Sequence, residues 1–327
     1  MLINDKDFGV EGRAGAINVL NIGDKFTSSQ SDVSEKLEMT LVARYQSSST
    51  GEGAAEIVQY HHSSNSVFAI NGDLGNRIEV ASLAAIPTQA LASPTTDFNL
   101  IGVTYDLPNS VIIDSEVIAV SDINSIAIHE NLMAVAIAHD DDLMESGVVL
   151  VYSLNADGSF DVNDFVPVRV GVLPDNVAFS KNGSKIVVAN EAQATDDPAN
   201  DQKGSVSIID VNNGIAESVA TTLYFDNFNG TSIPGINVNP DALDLAHAIE
   251  PEYVTISDDS STAYVTLQEI NALAIVDLNA KSITTVKGLG FKDHSLQSNQ
   301  LDASDKDDKV NIRNYNNLLG LYQPDTI

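Results

Sequence analysis

One unit occurs four times in this chain, and no other feature limits its fold as much. A short apolar run is followed by a polar turn, a second apolar run, a variable loop and a third apolar run. The first runs are residues 57–60, 126–129, 177–180 and 254–257. The second are "VFAIN", "LMAVAI", "KIVVAN" and "AYVTLQ"; the third are "RIEVASL", "VVLVYSL", "SVSIIDV" and "LAIVDL". A more polar fourth run follows in three copies: "FVPVRVGVL", "SVATTLYF" and "SITTVKGL". Segments of this length, rich in Val, Ile, Thr and Tyr and bounded by turn residues, are strands. Their near-continuous apolar character marks burial on both faces. No long segment has the 3.6-residue period of an amphipathic helix, so helix content should be low.

A repeated four-stranded antiparallel meander of roughly 50 residues is the blade of a β-propeller. A β-sandwich is the competing all-β arrangement, but its Greek-key connections would break the regular neighbour order. Four blades are legible and a fifth begins near the end. "GAINVLNI" and "MTLVARYQ" in the first 46 residues add further strands. A propeller of so few blades leaves an unpaired strand edge, so the ring is expected to continue past residue 327.

Charge narrows the partners. There are 46 acidic against 16 basic residues, a net charge of −30, which repels nucleic acid and anionic membrane. Nucleic acid is therefore not an expected partner. The absence of cysteine removes disulfides, thiol catalysis and thiolate-ligated zinc. No run of about 20 apolar residues suggests a transmembrane segment. The N-terminal "MLINDKDFGVEGRAG" has no apolar core and is not expected to be a signal peptide, which leaves two expectations: a cytoplasmic protein, or a chain that is part of a longer one.

Strand alternation assigns the carboxylates to one end of the fold. In a meander, the loop joining strands two and three lies at the same end as the residues leading into strand one. Those leading residues include Glu52, Glu56, Asp122, Asn124, Asp175, Asn176, Glu250 and Glu252. The second loops supply Asn71, Asp73, residues 139–145, Asn190, Glu191 and Glu269. The opposite end has only short Ser/Asn/Asp/Gly turns. Hard oxygen donors gathered in this way suit a divalent cation, calcium first. Glu56, Asp175, Glu191, Glu252 and Glu269 are the candidate metal ligands. The expected partner is a divalent cation or a polar ligand, or else domains fused to this one in a longer parent chain.

Catalytic patterns are scarce. "DASDKDD" has the composition of a calcium loop but neither the glycine nor the glutamate of an EF-hand. No GxSxG, HExxH or P-loop is present. His61 and His62 fall in a hairpin turn, where solvation is expected. Lys292, Asp293 and His294 place a cation, a carboxylate and an imidazole side by side and are the candidate catalytic residues.

Taken together, "EGAAEIVQY", "LPDNVAFSKNGSKIVVANEAQ", "GSVSIIDV", "EPEYVTISDDSSTAYVTLQEINALAIVDL", "GFKDHS", "LDASDKDDKVNIRNY" and "GLYQPD" resemble the choice-of-anchor I domain family. The resemblance spans about residues 38–327. It implies a seven-bladed propeller of exported, surface-anchored proteins, extracellular or on the cell surface, with the periplasm as a further compartment. Some relatives are labelled alkaline phosphatase. The family pattern "ANEGEP" is here Ala189-Asn190-Glu191-Ala192-Gln193-Ala194, which lacks the second acid. "NDKDFGVEG" is similar to the closing strand of an esterase-like phytase domain. Residues 1–36 are accordingly set apart as the tail of an upstream module, and 37–327 form the partial propeller. The first functional expectation is a calcium-associated surface binding module without catalytic machinery. The alternative is a metal-dependent phosphoesterase using Asp293 and His294 beside a cation held by Glu252 and Glu269.

Overall fold

The computed structural model describes residues 2–5, 16–22, 39–49, 51, 53–86, 89–93, 97–211, 214–304, 306 and 308–327. Four consecutive antiparallel sheets follow the repeat. The first blade is Ala54–His61, Ser66–Asn71, Arg77–Ser82 and Gly102–Asp106. The second is Glu116–His129, Leu132–His139, Ser146–Ser153 and Phe165–Val172, with Ser110–Ile113 paired to the start of its first strand. The third is Pro174–Phe179, Lys185–Asn190, Ser205–Asp210 and Val219–Tyr224. The fourth is Pro251–Ile256, Thr262–Leu267, Ala272–Asp277 and Ser282–Gly288. Each is a meander in sequence order, and the first strands of successive blades pack side by side around one axis. The fold is an all-β propeller of four-stranded blades. Among the described residues, the only helical turns are five three-residue 3₁₀ segments.

The apolar runs are continuous because each blade is buried on both faces. Side chains alternate across a pleated strand, so each face packs into a different seam. Val67 and Ala69 join Val42, Ala43 and Tyr45 of the preceding sheet. Phe68 and Ile70 face Met133, Val135 and Ile137 of the second blade. Ala134 and Ala136 pack on Ile186 and Val188 of the third blade, while Val187 and Ala189 pack on Val265 and Leu267 of the fourth. The core is thus a series of inter-blade layers.

Leu2–Asp5, Ala16–Ile22 and Met39–Gln46 form one three-stranded antiparallel sheet, whose last strand packs on the first blade. The boundary between residues 36 and 37, like Glu52, Asp305 and Asp307, lies outside the described residues. Beyond the fourth blade, Lys292–Asp293 and Leu319–Gly320 form a two-stranded pair.

The structure corrects one expectation. His61 is not a solvated turn residue: it ends the first strand and is only 1% exposed. Its Nδ1 lies 2.8 Å from Ser64 Oγ, and its Nε2 lies 3.3 Å from Asn131 Oδ1 of the next blade. The ring stands edge-on to Phe68. A polar ring can be buried there because both nitrogens are partnered. His62 is exposed.

Candidate functional site

The innermost strand of every blade breaks register, in three of the four where it begins. The breaks fall between Ala54 and Val58, between Pro174 and Asn176, and between Pro251 and Val254. In the second blade the pairing skips Asn124, opposite the step from Ala136 to Ile137. Bulges leave residues outside the ladder and re-aim their side chains. Glu56, Asn124, Asp175 and Glu252 all occupy these positions. The four blades therefore present a carboxylate or an amide at the same end of the central axis.

Two amides join the blades there. Asn124 Nδ2 donates to the carbonyl of Pro174 at 3.1 Å, and Asn176 Oδ1 accepts from the backbone N–H of Val254 at 3.1 Å. Glu191 follows the second strand of the third blade, where its N–H donates to the carbonyl of Leu173 at 2.8 Å. Glu250 precedes the fourth blade, and one of its oxygens accepts from the N–H of Ala194 at 3.3 Å.

These carboxylates act on one another. Burial is the largest cause in each case, followed by neighbouring negative charge. Glu191 is pushed up to about 8 by burial and by Asp175, Glu252, Glu250 and Glu269. Glu252 rises to about 7 through burial, Asp175, Asp325, Glu250 and Glu269. Glu250 rises to about 7 through burial, Glu269 and Asp201, against the Ala194 hydrogen bond. Asp175 rises to about 6 through burial, Asp325 and Glu56. No basic side chain is among the groups acting on these four. Half-buried like charges in one mouth favour protonation or a bound cation.

The five residues chosen from sequence thus share one electrostatic cluster. Glu250 was placed at this end but not among the candidate ligands. Asp325 gave no signal, because it reaches the mouth from a distant tail. Asn271 Oδ1 accepts from the N–H groups of Tyr322 and Gln323, and Thr266 Oγ1 donates to the carbonyl of Asp325. Among the described residues, no three His, Asp or Glu side chains are placed to ligate one metal ion.

Lys292, Asp293 and His294 lie elsewhere, on the two-stranded pair. Asp293 Oδ1 accepts from the Ser295 N–H at 2.9 Å, and this bonding holds its carboxyl below the usual range. His294 Nδ1 lies 2.7 Å from the Asn299 carbonyl. None of the mouth carboxylates is among the groups that set the charge of Asp293.

Residues 56–327 match the family model described as the choice-of-anchor I domain. No curated protein matches the sequence. Among solved structures, the chain is similar to a protein from Lactobacillus plantarum, with 14% identity, a TM-score of 0.49, and coverage of 85% of this chain and 66% of that one. It is also similar to a functionally unknown protein from Desulfotomaculum acetoxidans, with 12% identity, a TM-score of 0.42, and coverage of 76% and 59%. The Cps50 (Swd1) β-propeller domain of Myceliophteria thermophila gives 10% identity, a TM-score of 0.40, and coverage of 71% and 54%. This chain therefore spans less than two thirds of the length of each of these three. Among the described residues, no helix is long and apolar enough to cross a membrane.

Proposed function

This chain belongs to the choice-of-anchor I domain family, domains associated with surface-anchored proteins, and on that premise we propose that it is a cation-binding module whose ligand enters the acidic mouth. Calcium is the cation proposed first, with the exported, cell-surface setting that the family suggests. The observation that carries the reading is the mutual elevation of Asp175, Glu191, Glu250 and Glu252 without a basic partner. Folding holds these charges together against their repulsion, and a divalent ion offsets that cost. Calcium accepts six to eight oxygens in flexible geometry. The reading requires the carboxylates to converge on the ion from their present positions.

The phosphoesterase alternative requires Asp293 and His294 beside Glu252 and Glu269. Asp293 bonds Ser295 and His294 bonds Asn299, so no specific observation favours it.

The test is a thermal melt of the full chain with calcium, with EDTA, and with sodium chloride at equal ionic strength. Calcium at 100-fold its dissociation constant contributes about 2.7 kcal/mol. The expected rise in Tm is at least about 2–4 °C. The variant Glu252→Gln/Glu269→Gln should lose most of it. Equal shifts from calcium and sodium would reduce the mouth to ordinary surface charge.

A further inference from the structure

Below the acidic mouth the innermost strands enclose an axial channel of about 460 Å³. Its walls come from all four blades: Ile57 and Gln59, residues 125–129, residues 176–181, and Tyr253 with Val254. This volume falls within the range of small-molecule sites, about 300–1,000 Å³. The lining contains no carboxylate, in a chain with 46 acidic residues. The channel is therefore chemically distinct from the mouth above it.

The polar groups of the lining divide into two sets. Ser125, Asn176 and Ser180 are committed to the scaffold. Ser125 Oγ accepts from the Val177 N–H, Asn176 bridges to Val254, and Ser180 Oγ accepts from the Lys185 N–H. The Gln59 amide, the His129 imidazole and the Tyr253 hydroxyl have no hydrogen-bond partner among the described residues. All three are half-buried. The His129 ring lies 5.9 Å from the Phe179 ring. Lys181, at the rim, is 70% exposed and pairs with Asp258 at 3.1 Å.

We propose that this channel binds a neutral saccharide. A cation would meet no counter-charge on the lining. An anion would meet a single cation on the lining, Lys181, which already pairs with Asp258, and would enter a molecule of net charge −30. The unused groups are an amide, an imidazole and a phenol, which donate to and accept from hydroxyls. Tyr253 and Phe179 add aromatic surface against which the C–H face of a sugar ring packs. A neutral polyhydroxylated ligand meets all of these features, and the cavity has room for a ring or a pair of rings. The site stands apart from the cation reading, because it uses no carboxylate of the mouth.

The experiment is saturation-transfer difference NMR on the full chain in EDTA, so that cation binding plays no part. The probes are maltose, cellobiose, lactose and N,N′-diacetylchitobiose, with glucuronate and glucosamine as charged controls. At least one neutral disaccharide should receive saturation, and the charged sugars should receive less. Gln59→Ala and His129→Ala should each weaken that binding about tenfold, the effect of one lost hydrogen bond. Amide shift changes in the wild-type chain should centre on residues 57–59, 127–129 and 253, which locates the ligand even if a variant fails to fold. Three results would overturn the proposal: no saturation of any neutral probe, stronger binding of a charged sugar, or shift changes confined outside the innermost strands.

Discussion

Asn190 Oδ1 accepts a hydrogen bond from the backbone N–H of Gly171 at 3.1 Å, fastening the third blade to the outermost strand of the second. The Nδ2 of the same side chain donates to Ser207 Oγ at 3.0 Å and to Ser205 Oγ at 3.2 Å. Asn190 is fully buried. Asn71, at the same place in the first blade, reaches Ser47 Oγ at 3.0 Å and accepts from Ser49 Oγ at 2.9 Å, just after the N-terminal sheet. Removing such a side chain strands a buried donor, which costs about 1–3 kcal/mol. Asn190→Ala should lower stability by about 2 kcal/mol in chemical denaturation, with cation affinity little changed because Glu191 stays in place.

The chain at the start of the third strands approaches the next blade closely. A Cβ added to Gly204 would lie 2.1 Å from the carbonyl oxygen of Ile249 and 2.5 Å from Pro251 Cδ. One added to Gly147 would lie 2.5 Å from Pro174 Cδ. Gly204→Ala should therefore destabilise by about 1–3 kcal/mol through forced displacement of backbone. Gly230, whose Cβ would meet nothing within 4 Å, is a useful contrast. Its φ of +75° confines the cost of Gly230→Ala to local backbone strain.

Stability should fall as pH rises through the neutral range. In the unfolded chain the mouth carboxylates titrate near their ordinary values of about 4. In the folded chain Asp175 holds its proton to about 6, Glu250 and Glu252 to about 7, and Glu191 to about 8. Between those limits the folded state binds more protons than the unfolded, so stability drops with rising pH. The loss begins just above the unfolded values and is complete above about 8. Melts in EDTA should show Tm declining across this window. Glu191→Gln should flatten the upper part of the decline and raise Tm by about 2 °C at its alkaline end. A Tm that climbs between pH 5 and pH 8 would contradict this, because it would require the unfolded chain to hold more protons.

The blades were legible because seams on both faces demand apolar side chains along most of the second and third strands. Ser66–Asn71 and Leu132–His139 show that continuity. Gly102–Asp106 escaped notice because it is an outermost strand with a largely exposed face, Val103 being 59% exposed. The Ser110–Ile113 hairpin was hidden for the same reason: Ile112 and Val117 are each 68% exposed. His61 was misread because its partner Asn131 lies 70 residues away. Strand alternation was enough to group Glu56, Asp175, Glu191, Glu252 and Glu269 at one end. It could not show the bulges that aim Glu56, Asp175 and Glu252, nor the tail that brings Asp325 beside them, since both depend on tertiary packing.

Calcium should stabilise the folded chain more at alkaline than at acidic pH, because a cation competes with protons for the same carboxylates. In matched melts, the calcium-dependent rise in Tm should be largest above about pH 8, where Glu191 has ionised. It should shrink toward pH 5, where Asp175, Glu191, Glu250 and Glu252 are mainly protonated. Sodium chloride at equal ionic strength should show no such profile.

Proton release on calcium binding tests the central claim most directly. Isothermal titration of the full chain in two buffers of different ionisation enthalpy, at about pH 7 and about pH 9, counts the protons displaced. At about pH 7, Glu191 is mainly protonated and Glu250 and Glu252 are partly so. Calcium should release protons there and almost none at about pH 9, and Glu191→Gln should reduce the release. Calcium that binds with no proton release at about pH 7, or that fails to bind at either pH, would contradict a cation-binding mouth built on these carboxylates.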